Sequence, residues 1–262
     1  MSKGKETPNP TMAMLCFFIL TTVYFPVKYF VANKKLAGVG KIAFAIYLLL
    51  LIAGELTINI GLTKSMCSEP QFTTAILATL VPWVIIFGVL NLMLMVYPAW
   101  LSPFSNTFGY GIAKLMGVSS TIDELFVKSS DDLKGNKVNL KEANKTLAQI
   151  YKDKSLLINE ITEENFEAFW KRMTPLFVPG VKENISLKTT LLNQVRAKTT
   201  TSEYIWYLLT GWLVTSSSFN YLVKAGCDIS PTEQKRRDNL HTKNEETKNA
   251  NSVPSTVYTS YD

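Results

Sequence analysis

Histidine is almost missing from this chain of 262 residues, with His241 the only one. The three cysteines, Cys16, Cys67 and Cys227, lie far apart and form no CxxC pair. A structural zinc site takes four closely spaced Cys or His ligands, so no such site is recognisable. A Cys/His catalytic pair is equally poorly supported. No Gly-rich phosphate loop, G-x-S-x-G elbow or H-E-x-x-H motif occurs. Neither a cofactor nor an enzymatic activity is expected. Concentrated basic charge is scarce as well. The formal charge is +6 and the pI near 9.0, yet Lys235-Arg236-Arg237 is the only dense basic run. It is too short to argue for nucleic acid, and the remaining charge suits solubility and lipid contact.

Long apolar blocks are what the chain does have. Apolar residues make up 47% of it, an average that hides blocks separated by charged stretches. A bilayer core about 30 Å thick needs roughly 20 helical residues to cross. The first block reaches that length over 11–32 if Lys28 snorkels. A cleaved signal peptide is its rival, but no small-x-small cleavage site follows and a retained helix is expected. Residues 42–62 and 74–97 form the next two blocks. Pro82 lies inside the third, where a kink is expected, with Thr79 as partner for a freed carbonyl. The fourth block, 203–225, is rimmed by Tyr204, Trp206, Tyr207 and Trp212, as at a lipid–water boundary. Buried helices of a soluble protein keep a polar stripe. Leu48-Leu49-Leu50-Leu51-Ile52 is apolar on every face.

The expected fold is therefore all-α: an integral membrane protein with about four transmembrane helices. Three lie in an N-terminal membrane region, 1–97, followed by a helical extramembrane module, 98–202, the fourth span, 203–225, and a polar tail, 226–262. In the module, Thr121-Ile122-Asp123-Glu124 has the capping-box pattern, and Asn139-Leu140-Lys141-Glu142 resembles it. The second should start a helix with Leu147, Ile150 and Tyr151 on one side. Phe166, Phe169, Trp170 and Met173 fall on one face of a further helix, ended by Pro175 and Pro179-Gly180. The tail from Pro231 has too few apolar residues to offset its ordering entropy and is expected to be flexible.

With four spans, the N-terminus, the 63–73 loop and the tail share one side. The module and the 33–41 turn, with Lys34, Lys35 and Lys41, share the other. Short basic loops stay cytoplasmic, which assigns the module to the cytoplasmic side, although Lys235-Arg236-Arg237 argues the opposite. Cys67 and Cys227 then fall on the non-cytoplasmic side. Either they form a disulfide in an oxidising lumen or they share a side by chance. The sequons Asn144-Lys145-Thr146 and Asn184-Ile185-Ser186 lie in the module, where this topology leaves them unglycosylated.

Few residues in the spans are candidates for chemistry. Glu55 and Asn59 sit one turn apart within the second span, an intramembrane polar pair. An ionisable group in hydrocarbon costs several kcal/mol and by default suggests an ion or proton path. The plainer reading is interhelical hydrogen bonding to Thr or Ser of the fourth span. Gly211 and Thr215 have the small-xxx-small spacing of close helix contacts. Asp131-Asp132, Glu163-Glu164 and Glu167 read as solvated helix faces rather than metal ligands.

One stretch, Tyr97-Pro98-Ala99-Trp100-Leu101-Ser102-Pro103-Phe104-Ser105-Asn106-Thr107-Phe108-Gly109-Tyr110, is dense in aromatic and turn residues. Together with Ser155-Leu156-Leu157-Ile158-Asn159-Glu160-Ile161 and Asn165-Phe166, it is similar to multi-span membrane proteins of large icosahedral double-stranded DNA viruses of algae and amoebae. The resemblance covers Tyr97 to Trp170. It implies a structural component of the virion internal membrane or minor capsid layer. The implied partners are the lipid bilayer, other capsid or membrane proteins of the particle, and further copies of the chain. Trp100, Phe104, Phe108 and Tyr110 would then form either an interfacial loop or a docking surface for another subunit. The alternative from a different class is a small ion or proton channel or transporter using Glu55 and Asn59.

Overall fold

A computed structural model describes residues 9–34, 37–67, 69–129 and 140–227, together with 239 and 243. Of these residues 87% are helical, and none belongs to a strand. The tail from Pro231 apart from 239 and 243, with its Lys235-Arg236-Arg237 run and His241, and also Asp131-Asp132 and Asn139, lie outside the described residues.

Among the described residues three helices are long and apolar enough to cross a membrane: Thr11–Asn33, Gly38–Cys67 and Phe72–Val96. They belong to α1 (Thr11–Asn33), α2 (Ala37–Cys67) and α3 (Phe72–Val96). The connections are shorter than the sequence suggested, because α2 extends beyond both ends of the apolar block at 42–62. Thr63 helps it continue: its hydroxyl donates to Ile60 O at 2.9 Å and accepts from Gln71 N at 3.1 Å. Pro82 does not simply kink α3. It is followed by a π-helical turn, Trp83–Gly88, which absorbs the missing amide donor. Thr79 donates to Ala75 O at 2.8 Å, not to the Ala78 carbonyl that Pro82 deprives of its donor.

After a tight turn at Pro98–Leu101 comes α4, running over 102–115 with a π-helical middle, Ser105–Gly109. Helix α5 is Val118–Leu125, α6 Leu140–Lys152, α7 Lys154–Glu160 and α8 Phe166–Met173. Asp153 caps α7 by accepting from Ser155 N at 2.9 Å, and the Ser155 hydroxyl, with that amide, holds its carboxyl below the usual range. The expected capping box at Thr121 is not formed. Gly117, at φ 84°, provides the left-handed residue before α5, and Thr121 sits inside the helix with its hydroxyl on Gly117 O.

The module core contains Ile122, Phe126, Leu147, Ile150, Ile158, Phe166, Trp170 and Phe177. Leu147 and Ile150 come from the amphipathic face that the 3.6-residue spacing marked on α6, and Phe166 and Trp170 from that on α8. The segments around Phe126 and Phe177 are pinned by two backbone bonds, Val127 N to Leu176 O and Val178 N to Leu125 O.

Helix α9, Ile185–Ala225, then runs unbroken for 41 residues. The expected boundary at 202/203 between module and fourth span is thus not a break in structure: polar helix and apolar segment are one rod. Its start is capped by Asn184, which accepts from Leu187 N at 3.0 Å. Leu191 and Val195 belong to the module core, while Tyr207 and Val214 belong to a second core with Phe17, Phe25, Leu51 and Phe87 of α1–α3. The half of α9 expected as a fourth span is not among the helices apolar enough to cross by composition. Its Thr210, Thr215 and Ser218 lower the hydropathy, and all three are buried against the bundle.

Candidate functional site: a polar cluster inside the helix bundle

Helix α2 carries Glu55, Asn59 and Thr63 four residues apart on one face, all buried, with Glu55 4% and Asn59 1% exposed. Asn59 Nδ2 donates to Thr79 Oγ1 of α3 at 2.9 Å and to Ser218 Oγ of α9 at 2.8 Å. One carboxamide therefore joins three helices. The Ser218 hydroxyl also bonds the Glu55 carboxyl, whereas Glu55 Oε1 has no protein partner. Thus the structure brings together Glu55 and Asn59 with the Ser of the C-terminal segment that the sequence suggested.

The polar stripe is one-sided. From Glu55 it runs through Asn59 and Thr63 toward Cys67. In the other direction the same face of α2 continues as Leu51 and Tyr47, buried among aromatic rings. Tyr47 stacks on Tyr24 with centroids 4.2 Å apart and shares a 2.9 Å hydrogen bond with Thr21. A polar group in a non-aqueous interior needs an internal partner, and these bonds fix helix register as side effects of satisfying it.

At the end of the stripe Cys67 and Cys227 are bonded, with Cα atoms 5.4 Å apart. The bond ties the last turn of α2 to the end of α9. Gly211 lies directly under the Phe17 ring, where any Cβ would collide, so the small-residue spacing at Gly211 and Thr215 serves contact between α9 and α1.

The four aromatic residues singled out after the third span are not on one surface. Trp100 and Phe104 pack beside Trp206, at 6.0 and 6.3 Å between centroids. Tyr110 packs against the module core, and Phe108 remains exposed. Two junctions escaped sequence reasoning. Arg196 bonds Glu163 with Nε and Nη2 at 2.9 and 2.7 Å and reaches Asn33 Oδ1 with Nη1. Lys198, 1% exposed, donates to the carbonyls of Ile158 at 2.6 Å and Ile161 at 2.9 Å around the C-terminal end of α7. Both residues sit in an unremarkable polar stretch, and only their partners, 33 to 40 residues earlier and for Asn33 163 residues earlier, give them significance. Glu167 pairs with Lys188 at 2.7 Å. Among the described residues no group of three or more His, Cys, Asp or Glu is arranged to hold a metal.

The chain matches no family model, and neither a curated protein nor a solved structure matches it.

Proposed function

We propose that this chain is a four-span integral membrane protein with a structural role, tying the internal membrane of a large DNA virus particle to its capsid shell as a minor capsid component. The observation that carries the structural part is α9. One rod contributes Leu191 and Val195 to the module core and Tyr207 and Val214 to the bundle core, so the module cannot swing freely on the bundle. A tether between bilayer and protein layer requires that stiffness. The viral setting rests on the sequence similarity of Tyr97 to Trp170.

The fourth span is supported by an inverted pattern. Thr210, Gly211, Thr215 and Ser218 of α9 face inward, while Leu209, Trp212, Leu213 and Val223 face outward. In water that arrangement is unfavourable, but in hydrocarbon it is the stable one. The outer surfaces of α1–α3 agree: Phe18, Ile46, Leu49 and Val84 are all exposed. A bonded Cys67–Cys227 suits an oxidising compartment on that side, with the module opposite, in line with the basic turn after α1.

The channel reading is weaker, because the polar stripe beginning at Glu55 ends against Leu51 and Tyr47 instead of crossing the bundle. Mass spectrometry of purified particles, combined with protease treatment before and after shell removal, tests the proposal. We expect the chain at high copy number and the module cleaved only after the shell is opened. Absence from particles overturns the capsid assignment.

A further inference from the structure

The module-side rim of α1 and α2 carries charge of one sign. From Thr11 to Gly54 the chain has Lys28, Lys34, Lys35 and Lys41 but no Asp or Glu. Glu203 of α9 neutralises Lys28, and Lys35 lies outside the described residues. Lys34, at the end of α1, and Lys41, near the start of α2, are exposed, and neither pairs with an acid among the described residues. The two helix ends touch, with Gly40 packed on Val31. Beside this rim a groove of about 400 Å³ opens between α1, α4 and α9. Its lining is almost wholly carbon, with Pro26 and Phe30 of α1, Ile112, Met116 and Ala197. The Lys34 amide still bonds Phe30 O, at 3.2 Å, so Pro26, Phe30 and Lys34 follow at four-residue steps up one face of α1. The apolar groove therefore leads toward an unpaired cation.

We propose that groove and rim together hold one anionic phospholipid of the module-side leaflet, with an acyl chain in the groove and the headgroup against Lys34 and Lys41. Charge selects this occupant. A zwitterionic headgroup brings its own cation to the lysines, whereas a headgroup of net negative charge meets cations that nothing in the chain compensates. A second copy of the chain would set like charges against each other across the contact. A free anion has no chain for the groove. Each lysine close to an anionic lipid surface contributes roughly fivefold in affinity. The site rests on α1 and α2 crossing a bilayer and not on the viral assignment.

The test uses the full chain, purified in detergent, stripped of lipid and titrated with phosphatidylglycerol or phosphatidylcholine of matched acyl chains, with native mass spectrometry as readout. One phosphatidylglycerol should be retained about 25-fold more tightly than phosphatidylcholine. Replacing both Lys34→Gln and Lys41→Gln should remove most of that preference and leave phosphatidylcholine unaffected. Lys64→Gln, at an exposed position near the other end of α2, should change nothing. Thr200→Trp and Met116→Trp each fill the groove from a partly or fully exposed position and should weaken phosphatidylglycerol retention about tenfold at an unchanged melting curve. Equal retention of the two lipids overturns the proposal. So does an effect of Lys64→Gln as large as that of the Lys34/Lys41 pair, or retention indifferent to both groove variants. Displacement of the lipid by inorganic phosphate at constant ionic strength would mark a free-anion site and overturns it too.

Discussion

Replacing Lys198 with methionine sets two consequences of burying a lysine against each other, and pH separates them. Lys198 precedes the apolar C-terminal half of α9, and burial lowers its pKa from 10.5 to about 8, opposed by Glu160. That difference corresponds to roughly 3 kcal/mol by which folding disfavours the charged form. Below pH 8 both folded and unfolded chains hold the proton, so the folded state bears the full cost. Between pH 8 and 10.5 the folded lysine loses its proton first while the unfolded chain still binds it. The unfolded state then holds more protons, and stability rises with pH. Against this, methionine leaves the Ile161 carbonyl without its donor, while the Ile158 carbonyl keeps the Ile161 amide, and both residues are fully buried. The orphaned acceptor costs about 1–3 kcal/mol. At pH 7 lost bonds and relieved charge burial nearly offset, leaving Lys198→Met within about 2 kcal/mol of the parent. By pH 9.5 the parent should have gained about 2 kcal/mol that the variant lacks. Pulse proteolysis of the module in detergent across pH 7 to 9.5 measures the gap. That window stops before tyrosines such as Tyr151, whose pKa burial raises, begin to titrate. A gap that is constant or narrows with pH refutes the reasoning.

The polar cluster gives a second test. Asn59→Leu breaks bonds to Thr79 and Ser218 and should destabilise the bundle by about 1–2 kcal/mol in bicelle unfolding, whereas Glu55→Gln should be nearly neutral. Loss of ion or proton flux in Glu55→Gln vesicles, at unchanged folding, would instead favour a channel. Gly211→Val drives a side chain into the Phe17 ring, and overpacking of that kind costs about 1–3 kcal/mol, visible as a lowered Tm. Reduction of Cys67–Cys227, which closes a 160-residue separation, should retard the chain on a denaturing gel and remove up to about 5 kcal/mol. Arg196→Ala leaves Glu163 and Asn33 without their shared donor and should expose the C-terminal end of α1 to protease about tenfold faster.

What sequence patterns conveyed here was local. Leu48 to Ile52 is apolar on every face and needs no partner to be recognised as lipid-compatible, and Phe166, Phe169 and Trp170 mark their own buried stripe. Glu55 and Asn59 stand out because they interrupt an apolar run. Lys198 and Arg196 do not, because lysine and arginine among threonines look solvent-facing until α7 and Glu163 are brought against them. Local pattern also misled. Thr121-Ile122-Asp123-Glu124 has the spacing of a capping box, yet the left-handed Gly117 starts the helix earlier. The continuity of α9 was hidden for a related reason: composition changes sharply near Ser202, but nothing there breaks a helix. The small hydroxyl residues that make its C-terminal half look weakly apolar are those the bundle buries.

The account depends most on that half of α9 crossing the bilayer, and tag protection in sealed, oriented vesicles tests it directly. One tag replaces residues of the 130–139 segment, between α5 and α6, and the other follows Asp262. Four spans put the two tags on opposite faces, so external protease should remove one and spare the other. Removal of both from the same face would mean that only α1, α2 and α3 cross, and that the polar cluster around Asn59 does not lie within a four-helix membrane bundle.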